Sequence, residues 1–128
     1  MPYLMSVAEK DVLGPKKYVN SKGNTECVVF VQQVTKAPQT TAWKRGVRVK
    51  DATAGSIRRG TAIATFDDLG KYPTDGEGKH AAIYLGQNPT GIQVLDQWNA
   101  QGQVLPRTIR FNRPGKRSNN GDTFHVIE

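Results

Sequence analysis

Gly23-Asn24-Thr25-Glu26-Cys27-Val28-Val29-Phe30-Val31-Gln32-Gln33 is the stretch whose reading decides the fold, and it carries the chain's only cysteine. Cys27, Phe30, Val31 and Val34 recur at helical spacing and mark one apolar face. The run Cys-Val-Val-Phe-Val is also rich in β-formers. Asn24 reads as a helix N-cap, and a strand would explain neither that polar residue nor the Gln32-Gln33 continuation. The spacing predicts a helix over residues 25–35, ended by Ala37-Pro38. Cys27 would then sit in its first turn. There, free N–H groups and the positive end of the dipole lower a thiol pKa and can hold an oxyanion.

A nucleophilic cysteine needs a base, and the base needs an orienting partner. Two apolar runs follow downstream, His80-Ala81-Ala82-Ile83-Tyr84-Leu85-Gly86 and Ile92-Gln93-Val94-Leu95-Asp96-Gln97-Trp98. A turn through Asn88-Pro89-Thr90-Gly91 separates them, so they read as a hairpin. His80, Ala82 and Tyr84 share one face of the first strand; Ile92, Val94 and Asp96 share one face of the second. With Leu85 and Ile92 flanking the turn, His80 lies five residues back and Asp96 four residues on. Pairing therefore sets the imidazole near the carboxylate. Gln97 competes for the third place, with the wrong strand parity.

The remaining segments fill out an α+β pattern. Residues 6–13 predict a short helix before Gly14-Pro15. Val47-Arg48-Val49-Lys50 reads as a short strand, Thr61-Ala62-Ile63-Ala64-Thr65-Phe66 as a central strand, and Arg107-Thr108-Ile109-Arg110-Phe111 and Thr123-Phe124-His125-Val126-Ile127 as two more. The polar loop from Asp67 to Lys79 borders the expected cleft, with Tyr72 as a lining residue.

At 128 residues the chain is expected to form one domain, 1–128, large enough for a core without disulfides. One cysteine and two scattered histidines give no metal-ligand spacing, and no cofactor is implied. His125 reads as a strand residue without chemistry. Eighteen basic against eleven acidic residues give a net charge of +7, which favours anionic partners without choosing among them. Apolar runs of about five residues exclude a membrane-spanning helix, which needs ~20, so no membrane insertion is expected. Met1-Pro2-Tyr3-Leu4-Met5 lacks the features of a signal peptide. The expectation is a protein made in the cytoplasm and carried outward by other machinery.

Asn24-Thr25-Glu26-Cys27-Val28, the strand after Arg59-Gly60, the His-Ala-Ala-Ile-Tyr-Leu-Gly block and Val-Leu-Asp-Gln-Trp resemble, in the same order, the core of the papain-like NlpC/P60 and CHAP cell-wall hydrolases. The resemblance covers about residues 20–100. It implies an antiparallel sheet packed against N-terminal helices, with the nucleophile at a helix N-terminus. It places Cys27 as nucleophile, His80 as base and Asp96 as the third polar residue, where CHAP members often have Glu. Tyr72 and Gln97 are expected to contact substrate. Within this clan the chain resembles the amidase effectors delivered by bacterial type VI secretion, the third family nearest. That implies hydrolysis of stem-peptide or cross-link amides in peptidoglycan, delivery by the type VI apparatus to the periplasm of a target cell, and a cognate immunity protein occluding the cleft. A papain-like acyltransferase would use the same three residues. A non-catalytic basic module binding an anionic polymer is the other alternative; no nucleic-acid motif supports it.

Overall fold

The computed structural model describes residues 2–53 and 55–128. Among the described residues one α-helix and seven strands make an α+β fold: β1 (Gly14–Pro15), α1 (Cys27–Thr35), β2 (Arg45–Arg48), β3 (Ala62–Thr65), β4 (Ala81–Asn88), β5 (Gly91–Asp96), β6 (Gln103–Arg110) and β7 (Phe124–Ile127). They form one sheet in the order β1-β6-β5-β4-β3-β7-β2. Every pairing is antiparallel.

The central strands are buried on both faces, which is why their sequences read as continuous apolar runs. On one face Phe30, Val31 and Val34 of α1 pack with Ala62, Ala64, Ala81, Ile83 and Leu95. The alanines keep that face shallow, so the helix lies close against β4. The other face carries a second core of Ile63, Ala82, Tyr84, Ile92, Val94, Ile109, Phe124 and Val126. Burial of Phe30, Val31 and Val34 at zero exposure outweighs the β-propensity of their segment. The helix stops at Lys36, which turns left-handed at φ 62° and returns its N–H to the Gln32 carbonyl.

Four expectations change. The helix starts at Cys27, and Asn24 is not its cap. The cap position is Glu26, with no side-chain capping bond. Tertiary contacts hold this end instead, through Thr25 Oγ1 to the Trp98 carbonyl at 3.2 Å and Gln97 Nε2 to the Glu26 carbonyl at 2.9 Å. The helix expected over residues 6–13 is only a 3-10 turn at Glu9–Asp11, so the sheet packs against one helix rather than several. The lead-in is tied down by distant partners, with Met5 N–H on the Gly60 carbonyl and Ser6 N–H on that of Val34. The strand expected at residues 47–50 lies at Arg45–Arg48, and β6 begins four residues before the expected Arg107. β6 tolerates Pro106 because β1 pairs only with Gln103 and Val104, leaving that side of Pro106 without a strand neighbour.

The hairpin of β4 and β5 places the site. Asn88 Oδ1 accepts from Thr90 N–H at 2.9 Å and Gly91 N–H at 3.1 Å, closing the turn. Gly91 is required there: a Cβ would meet the Ile109 carbonyl oxygen at 2.5 Å. The register pairs Ile83 with Leu95 and Tyr84 with Val94, with a bulge between Tyr84 and Gly86. That bulge corrects the simple count from the turn. It leaves His80 diagonal to Asp96 on the same face, within reach of long side chains.

Candidate active site

His80 immediately precedes β4, and its backbone is clamped by Thr65. His80 N–H donates to Thr65 Oγ1 at 3.1 Å, and Thr65 N–H to the His80 carbonyl at 3.0 Å. The ring stands edge-on to Trp98 and Phe124, each 6.3 Å away between centroids. Nε2 lies 2.7 Å from Asp96 Oδ2, and Asp96 is fully buried. This bond fixes the ring, leaving Nδ1 as the nitrogen for the thiol.

Cys27 is half-buried as the first residue of α1. Burial opposes its ionisation. Hydrogen bonding to His80, the His80 charge, the Ala81 backbone N–H and the Tyr72 hydroxyl outweigh that effect and hold the thiol below its ordinary value. His80 responds in the opposite sense. Burial alone would lower it, yet bonds to Asp96 and Cys27 push it up to about 9. The two shifts, a lowered thiol and a raised imidazole, both favour a thiolate–imidazolium pair. Tyr72 lies 3.9 Å from Sγ. Burial and the adjacent sulfur raise its hydroxyl, so it stays protonated. Its ring packs edge-on against Trp43.

The first N–H groups of a helix have no intrahelical partner. Because no side chain caps α1, those beside Cys27 can meet a developing oxyanion. The thiol opens into a cleft of about 400 Å³ lined by Glu26, Val28, Thr40, Tyr72, Lys79, His80, Trp98 and Asn99. A second hollow of about 330 Å³ continues past His80 and Trp98 to Arg107, Ser118 and Asn119.

The fold thus brings Cys27, His80, Asp96 and Tyr72 together. It does not bring Gln97 to the cleft surface. Gln97 is fully buried, and its amide is committed to the Tyr18 and Glu26 carbonyls. The reading of Gln97 as a substrate contact is therefore corrected: β5 turns it inward behind the nucleophile. His125 sits on β7, edge-on to Phe66. No group of three or more His, Cys, Asp or Glu residues suited to a metal occurs among the described residues.

Arg107 escaped the sequence reading. Its Nε donates to Asp96 Oδ2 at 2.8 Å, and its guanidinium lies 5.0 Å over the Trp98 ring. Asp96 thus carries two cationic partners on one oxygen. A signal existed: Arg107 shares strand parity with the core residue Ile109, so a charge points toward the buried face.

Comparison with known proteins gives the same direction. Residues 5–127 match the family model described as domesticated amidase effector 2. A Salmonella typhi protein named type VI secretion amidase effector 2 protein is 34% identical over 140 aligned positions, covering 100% of both chains. A protein of Ixodes scapularis named domesticated amidase effector 2 is 40% identical over 116 positions, covering 88% of this chain and 77% of that one. A solved structure of a type 6 secretion amidase effector 2 superposes with TM-score 0.78 at 33% identity, covering 98% of this chain and 94% of the other. These relatives carry the number two, so the third amidase family expected from the sequence gives way to the second.

Proposed function

This chain belongs to the domesticated amidase effector 2 family, and on that premise we propose that Cys27, His80 and Asp96 hydrolyse peptide amides of bacterial peptidoglycan through a thioester. The observation that carries this reading is the 2.7 Å bond between His80 Nε2 and buried Asp96, beside a thiol lowered by that same imidazole.

The thiolate of Cys27 attacks the amide carbonyl carbon. The Cys27 backbone N–H receives the charge that develops on oxygen. The tetrahedral intermediate collapses, the C–N bond breaks, and His80 gives its proton to the leaving amine. Water then enters. His80 takes one of its protons, hydroxide oxygen joins the acyl carbon, and the C–S bond breaks to return the thiolate and a carboxylic acid. Tyr72 lines the cleft beside the thiol. Asp96 holds the ring through both proton transfers.

Delivery by a type VI secretion apparatus into the periplasm of a target cell is part of the same proposal, supported by the bacterial relative that spans the whole chain. A cognate immunity protein is proposed to close the cleft at its exposed rim of Lys79 and Trp98. Digestion of purified peptidoglycan, with released fragments identified by mass, tests the activity. Fragments bearing one water per broken amide are expected. An undigested wall contradicts the reading, and so do fragments bearing an added amine in place of water.

The pH profile follows from the pair. The thiolate–imidazolium form exists above the lowered thiol value and below the raised imidazole value. kcat/KM is expected to form a bell with its alkaline limb near pH 9. A single rise centred near 6.5, the ordinary histidine value, would show instead that a neutral imidazole is the active form.

Asp96→Asn is expected to lower kcat about 10²–10⁴-fold, less than loss of the imidazole itself. Asn keeps the shape but supplies no charge for His80, and it leaves Arg107 without its counterion. Initial rates on soluble wall fragments check the ranking. A loss at least as large as that of His80→Ala would assign Asp96 more than orientation.

A further inference from the structure

We propose that Gln97 is a positioning residue that aims the oxyanion donor, by clamping the peptide plane that joins Glu26 to Cys27. The proposal rests on the thioester reading above and extends it to a residue that never touches substrate. Gln97 is completely buried. Its Nε2 donates to the Glu26 carbonyl at 2.9 Å and the Tyr18 carbonyl at 2.8 Å. Its Oε1 has no hydrogen-bond partner among the described residues. The amide orientation is fixed by these neighbours, because a reversed amide would set Oε1 against two carbonyl oxygens. A buried acceptor without a partner costs stability. The side chain is held in an arrangement where only its donors are used.

The geometry of the peptide unit gives those donors their meaning. The Glu26 carbonyl and the Cys27 N–H belong to one planar unit, and the described chain contains no cis peptide bond. In a trans unit the two groups point in opposite directions. The Glu26 oxygen receives both Gln97 Nε2 and the Val29 N–H, the latter at 3.2 Å. Two bonds on the oxygen fix the plane, and the N–H is then aimed at the other side. Hydrogen bonding at the carbonyl also polarises the unit and strengthens its N–H as a donor. No side-chain cap does this work at the start of α1.

The neighbours of Gln97 complete the arrangement. Asp96 holds the imidazole at 2.7 Å, and the Trp98 carbonyl accepts from Thr25 Oγ1 at 3.2 Å. Three consecutive residues, 96 to 98, therefore place the base and the oxyanion donor from one strand end. An error in either would otherwise be independent of the other.

The test separates carbonyl chemistry from thiolate formation. Iodoacetamide alkylates the thiolate by displacing iodide and creates no oxyanion, so its rate reports ionisation of Cys27 alone. Hydrolysis of a soluble cross-linked disaccharide-peptide dimer needs both. For Gln97→Met, kcat is expected to fall about 10–100-fold, with KM within about threefold and the alkylation rate following the unmodified protein at every pH. Gln97→Glu keeps the shape, removes at least one donor, and is expected to lose at least as much. Circular dichroism and the thermal midpoint verify folding, and if the Met variant unfolds the Glu variant decides. Retention of kcat within about twofold in a folded variant would overturn the proposal. So would a parallel fall in kcat and alkylation, which would place Gln97 in the structure or in thiolate formation. An unmodified protein that neither cleaves the dimer nor alkylates faster than a free thiol at neutral pH would instead overturn the thioester reading.

Discussion

Replacing Cys27 by alanine is expected to lower amide hydrolysis by about 10⁴-fold or more, while the thermal midpoint stays within a few degrees of the original. The activity loss follows from the chemistry. Without sulfur no thioester forms, and the remaining oxyanion donor and binding contacts supply only a residue of rate over water. The fold survives because Cys27 is half-buried at the start of α1, and its core partners Phe30, Val31 and Val34 are untouched. Alanine is also the best helix former. Digestion of purified peptidoglycan, scored by released fragments alongside a melting curve, checks both halves. Undiminished digestion by the folded variant would remove Cys27 from the mechanism.

His80→Ala is expected to be nearly as damaging, with kcat reduced about 10³–10⁴-fold or more. The imidazole performs two tasks, and alanine loses both. Its hydrogen bond and charge hold the thiol low, and it carries the proton to the leaving amine. The variant should therefore lose the alkaline limb near pH 9 and show only a thiol titration shifted upward, because burial is then opposed by the Ala81 N–H and the Tyr72 hydroxyl alone. Some stability is lost as well, since the buried ring packs against Phe124 and Trp98. Asp96 keeps its bond to Arg107, so its charge is not left alone in the interior. His80→Gln, which fills more of the space, separates lost chemistry from lost packing. A folded variant of either kind that retains an unshifted pH profile would exclude His80 as the base.

Much of this site was legible because a few residues carry both local and chemical signals. The helical face of Phe30, Val31 and Val34 survived a β-rich composition, since burial against the alanine-lined side of β3 and β4 decides the segment. The hairpin was marked by its Asn-Pro-Thr-Gly turn, and its parity put His80 and Asp96 on one face. What was illegible depends on distant contacts. Asn24 looked like a cap, but Thr25 and Glu26 are held from residues 97 and 98, over seventy positions away. The role of Gln97 was hidden for the same reason: nothing local shows that its amide faces the carbonyl before the nucleophile. Arg107 was read as a strand residue, but nothing local shows that its guanidinium reaches the carboxylate of Asp96 on the neighbouring strand. The N-terminal segment reads as a short helix by pattern, yet hydrogen bonds from residues 5 and 6 to Gly60 and Val34 fasten it to distant parts of the fold.

The central claim is that His80 activates the sulfur of Cys27 before any substrate arrives. The most direct measurement is the rate of iodoacetamide alkylation of the unmodified protein as a function of pH, with the adduct located by peptide mass. Fast labelling confined to Cys27 is expected, with its midpoint below the ordinary thiol value and a second change near pH 9 as the imidazolium loses its proton. A single titration at about 8.5, the value of an isolated cysteine, would contradict the account.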